Sequence, residues 1–278
     1  MKEGPTAMSS AIAAPRAAWA DHAGCFIHHT FVVVEAELRK LIHDPMELLT
    51  RAVQPLLWLL VFGGVFARVR GIPTGAVGYR EFLTPGILAQ SGLFIAIFYG
   101  IAVIWERDLG VLQKYLVSPA PRSALVLGKA IAAGVRGLSQ AILVYALALL
   151  IGVRLRTGWD TLLGVPLIIV LGSAVFATLS LIVACLVKTR ERFMGVGQLL
   201  TMPLFFASNA IYPLGLMPGW LRVISAANPL TYQVDALRAL MLPGVSATFG
   251  IGFDVAVQLA ALAVLVVLAS RLYPKVVL

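Results

Sequence analysis

Six apolar runs, at about residues 50–68, 83–104, 130–153, 162–187, 195–212 and 250–271, limit what this chain can fold into. Each is close to the ~20 residues that an α-helix needs to cross the ~30 Å hydrocarbon core of a bilayer, at ~1.5 Å of rise per residue. No water satisfies a bare N–H or C=O in that core, and a continuous apolar run meets the requirement by closing its own hydrogen bonds as a helix. Composition agrees, with 60% hydrophobic residues, 13% charged residues and a mean hydropathy of +0.92. The expected fold is an all-α integral membrane protein with six transmembrane helices.

The basic residues orient these helices. With the N-terminus assigned to the cytoplasm, fifteen of the 22 Lys and Arg fall on the inner side and seven on the outer side. Positive loops stay inside, so a multi-pass protein of the cell inner (plasma) membrane with both termini cytoplasmic is expected. A net charge of +9 would suggest nucleic acid in a soluble protein. Here the cations sit in loops beside apolar runs, which makes anionic lipid headgroups the expected contact instead. Residues 1–20, rich in Ala, Ser and Pro, suggest a disordered cytoplasmic tail rather than a cleaved signal. Residues 21–45 mix apolar positions with Glu35, Glu37, Arg39 and Lys40, the pattern of an interfacial amphipathic helix. The membrane domain then covers 46–278. Cys25 and Cys185 lie far apart in the sequence, and neither a disulfide nor a metal site is expected.

Two polar stretches interrupt the apolar pattern. From Trp105 to Lys129 charges are dense, and Leu109, Leu112 and Leu116 recur at i, i+3 and i+7 while Arg107, Gln113 and Lys114 fall elsewhere on the wheel. That spacing predicts about three turns of amphipathic helix, ended by Pro119 and Pro121. It is too short and too charged to cross a bilayer, so it would lie on the membrane or dock into a protein. The second stretch runs from Pro213 through Pro218, Asn228-Pro229, Tyr232 and Asp235 to Pro243-Gly244. It is too polar for a simple span, and half-helices dipping back into the outer leaflet are expected. Asp235 and Arg238, at i and i+3, would form a helix-surface ion pair worth a few tenths of a kcal/mol, on the order of ~0.3.

Lys129 and Arg136, seven residues apart, share a helix face. Two accounts stand for them. They pack or snorkel toward the inner headgroups, or they line a substrate path.

Missing chemistry narrows the function. Gly128-Lys129 has Ser123 where a phosphate-cradling loop needs Gly, and Ala130 where it needs Ser or Thr. The four histidines, His22, His28, His29 and His43, all precede the first apolar run, so no triad or metal cluster is expected within the membrane. Glu81, Glu106, Asp160, Glu191 and Asp254 flank the runs, whereas ion-coupled carriers keep an ionisable group near the midplane. Energy for transport is expected from a partner.

Two motif clusters carry a resemblance. Glu106-Arg107-Asp108-Leu109-Gly110, Leu116, Ser118-Pro119, Arg122 and Gly128-Lys129 form the first. The second comprises Phe206 to Pro213, Met217-Pro218, Asn228-Pro229-Leu230-Thr231-Tyr232 and Asp235 to Arg238. Together they resemble ABC-2 type permeases, the membrane subunits of ATP-binding-cassette exporters, with Asp108, Val111 and Asn209 standing where Glu, Thr and Gly are more usual. The resemblance implies that Glu106, Arg107, Asp108, Leu109, Gly110, Leu112 and Leu116 belong to a cytoplasmic coupling helix between the second and third spans. It also implies a separate cytoplasmic ATPase that holds the ATP and Mg, a second permease copy or paralogue, and no cofactor on this chain. The details around Lys129 are most similar to the drug and lipo-oligosaccharide export branch, whose substrates are hydrophobic or amphipathic. An ion-coupled carrier or channel, or a membrane assembly factor, are the alternatives from other classes.

The charge bias makes topology testable. With the native cysteines replaced, single cysteines at Ser118 and Ser225 should react with a membrane-impermeant thiol reagent from opposite sides. Labelling of Ser118→Cys in intact cells would invert the topology.

Overall fold

The computed structural model describes residues 53–68, 77–111, 121–187 and 189–273, with 28, 30–32, 34, 35, 39 and 50 before them. The tail over 1–20 lies outside the described residues. Of the expected interfacial helix, His28, Thr30, Phe31, Val32, Val34, Glu35 and Arg39 are helical, and Arg39 pairs with Glu35 one turn earlier at 2.6 Å.

Every extended element among the described residues is helical. The helices are α1 (Val53–Ala67), α2 (Tyr79–Asp108), α3 (Arg122–Leu150), α4 (Trp159–Leu186), α5 (Arg190–Phe206), α6 (Gly219–Ala227), α7 (Pro229–Met241) and α8 (Ile251–Leu272). A π-helical turn over Trp58–Phe62 sits inside α1. Four of them, α2, α3, α4 and α8, are long and apolar enough to cross a membrane. The expected first and fifth runs yield shorter helices. With 17 residues α5 reaches about 25 Å at ~1.5 Å per residue, short of the hydrocarbon thickness. It stops because the chain turns at Ala207, where the Ser208 hydroxyl donates to the Phe205 carbonyl at 2.7 Å.

The centre of the bundle is a three-helix contact of α2, α3 and α4, on which α8 and α7 pack from one side and α5 from another. Lipid tails are as apolar as leucine, so spanning helices gain little by hiding apolar side chains from each other and associate through close backbone packing. Small residues supply it here. A Cβ on Gly137 of α3 would meet Ser173 Oγ of α4 at 2.2 Å, and one on Gly134 would meet the Val170 carbonyl oxygen at 2.8 Å. Two turns further along α4, the Gly100 N–H of α2 donates to Ser180 Oγ at 3.1 Å, while the Ser180 hydroxyl donates to the Ile97 carbonyl.

Two expectations change. The second span does not end near residue 104 but continues to Asp108, so Trp105 to Asp108 form its last turn rather than the start of an amphipathic helix. Asp254 does stand near a span end, in the first turn of α8, but it has no exposed surface. Ser225 is fully buried and bonded to Thr231 at 3.0 Å, so Val223, 71% exposed on the same short helix, is the position to label in its place.

Gly134→Ala drives a methyl against backbone that cannot rotate away, and should cost about 1–3 kcal/mol. Gly195→Ala, with open space around it, should be neutral or slightly stabilising. Thermal unfolding of the two variants in detergent micelles separates these outcomes.

Candidate functional site: the inner end of α2 and the buried helix α7

The C-terminal end of α2 gathers charge. After Asp108 the chain passes through Leu109, 70% exposed, to Gly110 at φ +69°, a left-handed conformation that side chains resist, and Val111 is helical again. A joint therefore separates the span from whatever helix follows, and the continuous three-turn helix expected from Trp105 is not formed. Leu112 and Leu116 lie outside the described residues.

Glu106 and Asp108 thus stand at the C-terminal end of a helix, where the dipole disfavours carboxylates, and cations hold both. Lys129 Nζ of α3 lies 2.6 Å from Glu106 Oε2, with both side chains buried. Asp108 is bridged by Arg107 at 3.1 Å and by Arg190 of α5 at 2.9 Å. The Arg190 guanidinium stacks 3.5 Å from the centre of the Trp105 ring, a cation–π contact that fixes its plane. Lys129 does not snorkel. It packs inside the α2–α3 seam, and Arg136, two turns along the same face, shares the Tyr99 ring with it at 5.6 Å against 5.9 Å. Common-face geometry was legible in the seven-residue spacing. The Glu106 partnership, 23 residues away, and the Arg190 bridge were not, because neither is local in sequence.

The second motif cluster converges on α7, whose residues from Leu230 to Met241 are all buried. Asn228 caps it, accepting the Leu230 N–H at 3.0 Å while its amide donates to the Leu204 carbonyl at 2.6 Å, and Pro229 takes the first helical position, where no N–H is needed. Tyr232 donates to the Ala226 carbonyl at 2.7 Å. Pro218 starts α6, and Pro213 precedes a short 3-10 turn at Leu214–Leu216. The expected exposed Asp235–Arg238 pair does not form. Asp235 accepts from the Thr248 hydroxyl at 2.9 Å and the Phe249 N–H at 3.1 Å, and so ties down the start of α8. Arg238 donates to the Asn209 carbonyl at 2.8 Å and lies 3.9 Å from the Phe82 ring centre of α2. Burial explains the change. Each charge is out of water and takes fixed backbone dipoles that a mobile i, i+3 partner would not replace.

Residues 28–242 match the family model described as ABC-2 type transporter. This chain belongs to the ABC-2 type transporter family. Over 217 residues, 77% of this chain and 74% of the relative, it is 30% identical to a protein described as the transport permease ycf38 of Cyanophora paradoxa. It is 28% identical over 239 residues, 83% of this chain and 81% of the relative, to the daunorubicin resistance ABC transporter permease protein DrrB1 of Streptomyces coeruleorubidus. Nodulation protein J of Rhizobium meliloti is 26% identical over 197 residues, 70% of this chain and 74% of that protein. The chain is thus a multi-pass membrane protein and a permease subunit without a nucleotide-binding domain of its own, and ABC-2 permeases work with a cytoplasmic ATPase that is a separate subunit.

Apart from these motifs the permease carries a cavity of about 640 Å³ between α3 and α4. The two helices touch at Gly134 and Gly137, and the cavity lies beyond that contact toward residues 150 and 159, with Pro166 of α4 in its wall. Ala141, Tyr145 and Leu149 line one wall, and Trp159, Leu162 and Pro166 the other. Neither Lys129 nor Arg136 lines it.

The Glu106–Lys129 pair supplies a stability test. Glu106→Ala removes the carboxylate from a buried cation and should cost about 3–5 kcal/mol, whereas Glu106→Leu combined with Lys129→Leu should recover most of that loss. Unfolding midpoints of the purified variants check the order.

Proposed function

We propose that this chain is the permease of an ATP-driven exporter that pairs with a second copy or a paralogue to form a path for hydrophobic or amphipathic molecules such as drugs, lipids or lipid-linked saccharides. Similarity to a permease named for daunorubicin resistance is the observation that carries this reading. In it the chain has six spans, α1 and α5 completing the four long helices, with α6 and α7 as re-entrant elements of the outer leaflet. Residues 46–278 form the permease domain, preceded by the tail over 1–20 and the interfacial helix over 21–45, in the cell inner membrane with both termini cytoplasmic. ATP and Mg reside on the partner, and this chain contributes no ligand to them.

The joint at Gly110 supports a role for the following segment, with Leu112 and Leu116 on one face, as the coupling element. Force applied there meets α2 directly, α3 through Glu106–Lys129 and α5 through Asp108–Arg190. Within this reading Glu106, Arg107, Asp108, Leu109 and Gly110 form the joint rather than the docking face, and Lys129 and Arg136 act by packing rather than by touching substrate. The ion-coupled carrier draws on a different observation, the burial of Asp254 inside the bundle.

Leu112→Asp should leave membrane insertion intact while the ATPase no longer co-purifies, because a carboxylate replaces a leucine whose burial is worth ~1.5–3 kcal/mol. Transport into inside-out vesicles should require ATP and the co-expressed ATPase. Retention of the ATPase by Leu112→Asp would remove the coupling assignment, and uptake driven by a sodium or pH gradient with this chain alone would replace the exporter by the carrier.

A further inference from the structure

Among the described residues, Asp254 is a carboxylate with no exposed surface and no hydrogen-bond partner on either oxygen. Gln258 follows one turn later on the same face of α8, also with no exposed surface and with both amide atoms unpartnered. This face is the one α8 turns toward α4 and α7. Gln233 of α7 is a third buried side chain with both amide atoms unpartnered.

The depth of the site follows from the contacts of α7. Tyr232 lies against Phe249 and Phe253 of the α8 entry, with ring centres at 5.2 and 5.9 Å, and the neighbouring Gln233 presses on Gly172 of α4. Gly172 is thirteen residues into α4, about 20 Å from its N-terminal end at ~1.5 Å per residue. Asp254, in the first turn of α8, is therefore buried beside this packed layer rather than exposed to lipid.

A lone carboxylate there carries a large desolvation cost unless a positive charge meets it. The charged groups on the packed elements do not supply one. Asp235 of α7 is within electrostatic reach, and its oxygens face Thr248 and Phe249. Arg238 is directed to Asn209 and Phe82. No charged residue occurs in α4 after Asp160, and on α3 Lys129 is bound to Glu106 while Arg136 lies over Tyr99. Two carboxylates against one guanidinium leave a single negative charge uncompensated.

We propose that Asp254 and Gln258 bind a dehydrated monovalent metal cation of the sodium type on the face that α8 buries against α4 and α7. Carboxylate and carboxamide oxygens are hard donors suited to such an ion and not to thiophilic metals. A single uncompensated charge matches one monovalent ion, and no group of three or more His, Cys, Asp or Glu that could hold a metal occurs among the described residues. A protonated Asp254 would donate to the Gln258 carboxamide oxygen, whereas a metal ion would take an oxygen from each side chain, so the sodium dependence of stability separates the two.

Thermal unfolding of the purified full chain, without its ATPase, tests the site independently of transport. Raising sodium chloride against choline chloride at constant ionic strength should raise the unfolding midpoint saturably. The rise should vanish in Asp254→Asn and in Gln258→Leu. Should Asp254→Asn fail to fold, equilibrium dialysis with radioactive sodium still decides, with one ion per chain expected in the wild type and a loss of at least tenfold in affinity in Gln258→Leu. A wild-type midpoint indifferent to sodium and potassium, or a Gln258→Leu variant that binds as the wild type does, overturns the proposal. So does a midpoint that follows pH alone and loses that dependence in Asp254→Asn, which would mean that a proton is the only cation held.

Discussion

The close approach of α2, α3 and α4 is the contact on which the rest of the molecule depends. In a bilayer the association of helices has to come from packing and from hydrogen bonds, since apolar side chains meet apolar surroundings either way. Gly134 and Gly137 let α3 come against Val170 and Ser173 of α4, and Ser180 joins α4 to α2 by accepting the Gly100 N–H and donating to the Ile97 carbonyl. With these backbones fixed, the side chains where α2 ends and α3 begins have no freedom to separate. Glu106 and Lys129 then meet at 2.6 Å in a site closed to water. The ion pair follows from the packing, because an isolated pair of this kind would not recover its own desolvation.

The same close packing at one level makes room at another. Helices α3 and α4 touch at small residues and carry Tyr145, Leu149, Trp159 and Leu162 beyond them, and the α3–α4 cavity lies between those side chains. Its walls are apolar apart from the Arg156–Thr157 end, so it presents to the bilayer a surface of the same chemistry as the bilayer itself. The helix α7 shows the opposite solution. It is buried on every face, and its polar side chains reach the backbones of α5, the 207–210 turn and the α8 entry.

How far the sequence revealed these features depends on how local they are. Hydropathy gave the all-helical class and the positions of α2, α3, α4 and α8, since a run of about 20 apolar residues admits few other structures. Proline and asparagine spacing located the short helices after Pro213, because Asn228-Pro229 is a helix start by its own chemistry. What escaped was non-local. Asp235 and Arg238 look like an ion pair at i and i+3, and only the presence of Thr248, Phe249, Asn209 and Phe82 around them redirects each to a separate partner. Asp254 is a charge near a span end, as its place four residues inside the run indicates, and its burial comes from the fold, which draws the start of that run into the bundle. A signal for it was present in Gln258, a second polar residue one turn along the same face of an apolar helix.

The element that joins the two motif clusters is α2, 30 residues long and buried along most of its length. Its last turn carries Glu106 and Asp108, and its first turns carry Phe82 and Gly86. Arg238 stacks on Phe82, and the Ala210 carbonyl lies so close to Gly86 that a Cβ there would meet it at 2.4 Å. Conserving these contacts requires that α2 and the 207–210 turn move together. At the C-terminal end, Asp108 likewise ties α2 to Arg190, the first residue of α5, while that same turn of chain at 207–210 follows the last residue of α5. Helices α2 and α5 are thus pinned to each other at both ends, one pin ionic and half-exposed, the other a backbone contact buried under Arg238. Gly110 therefore adjoins a closed frame rather than a single helix, and of its two pins the ionic one at Asp108–Arg190 is the one whose groups are partly exposed.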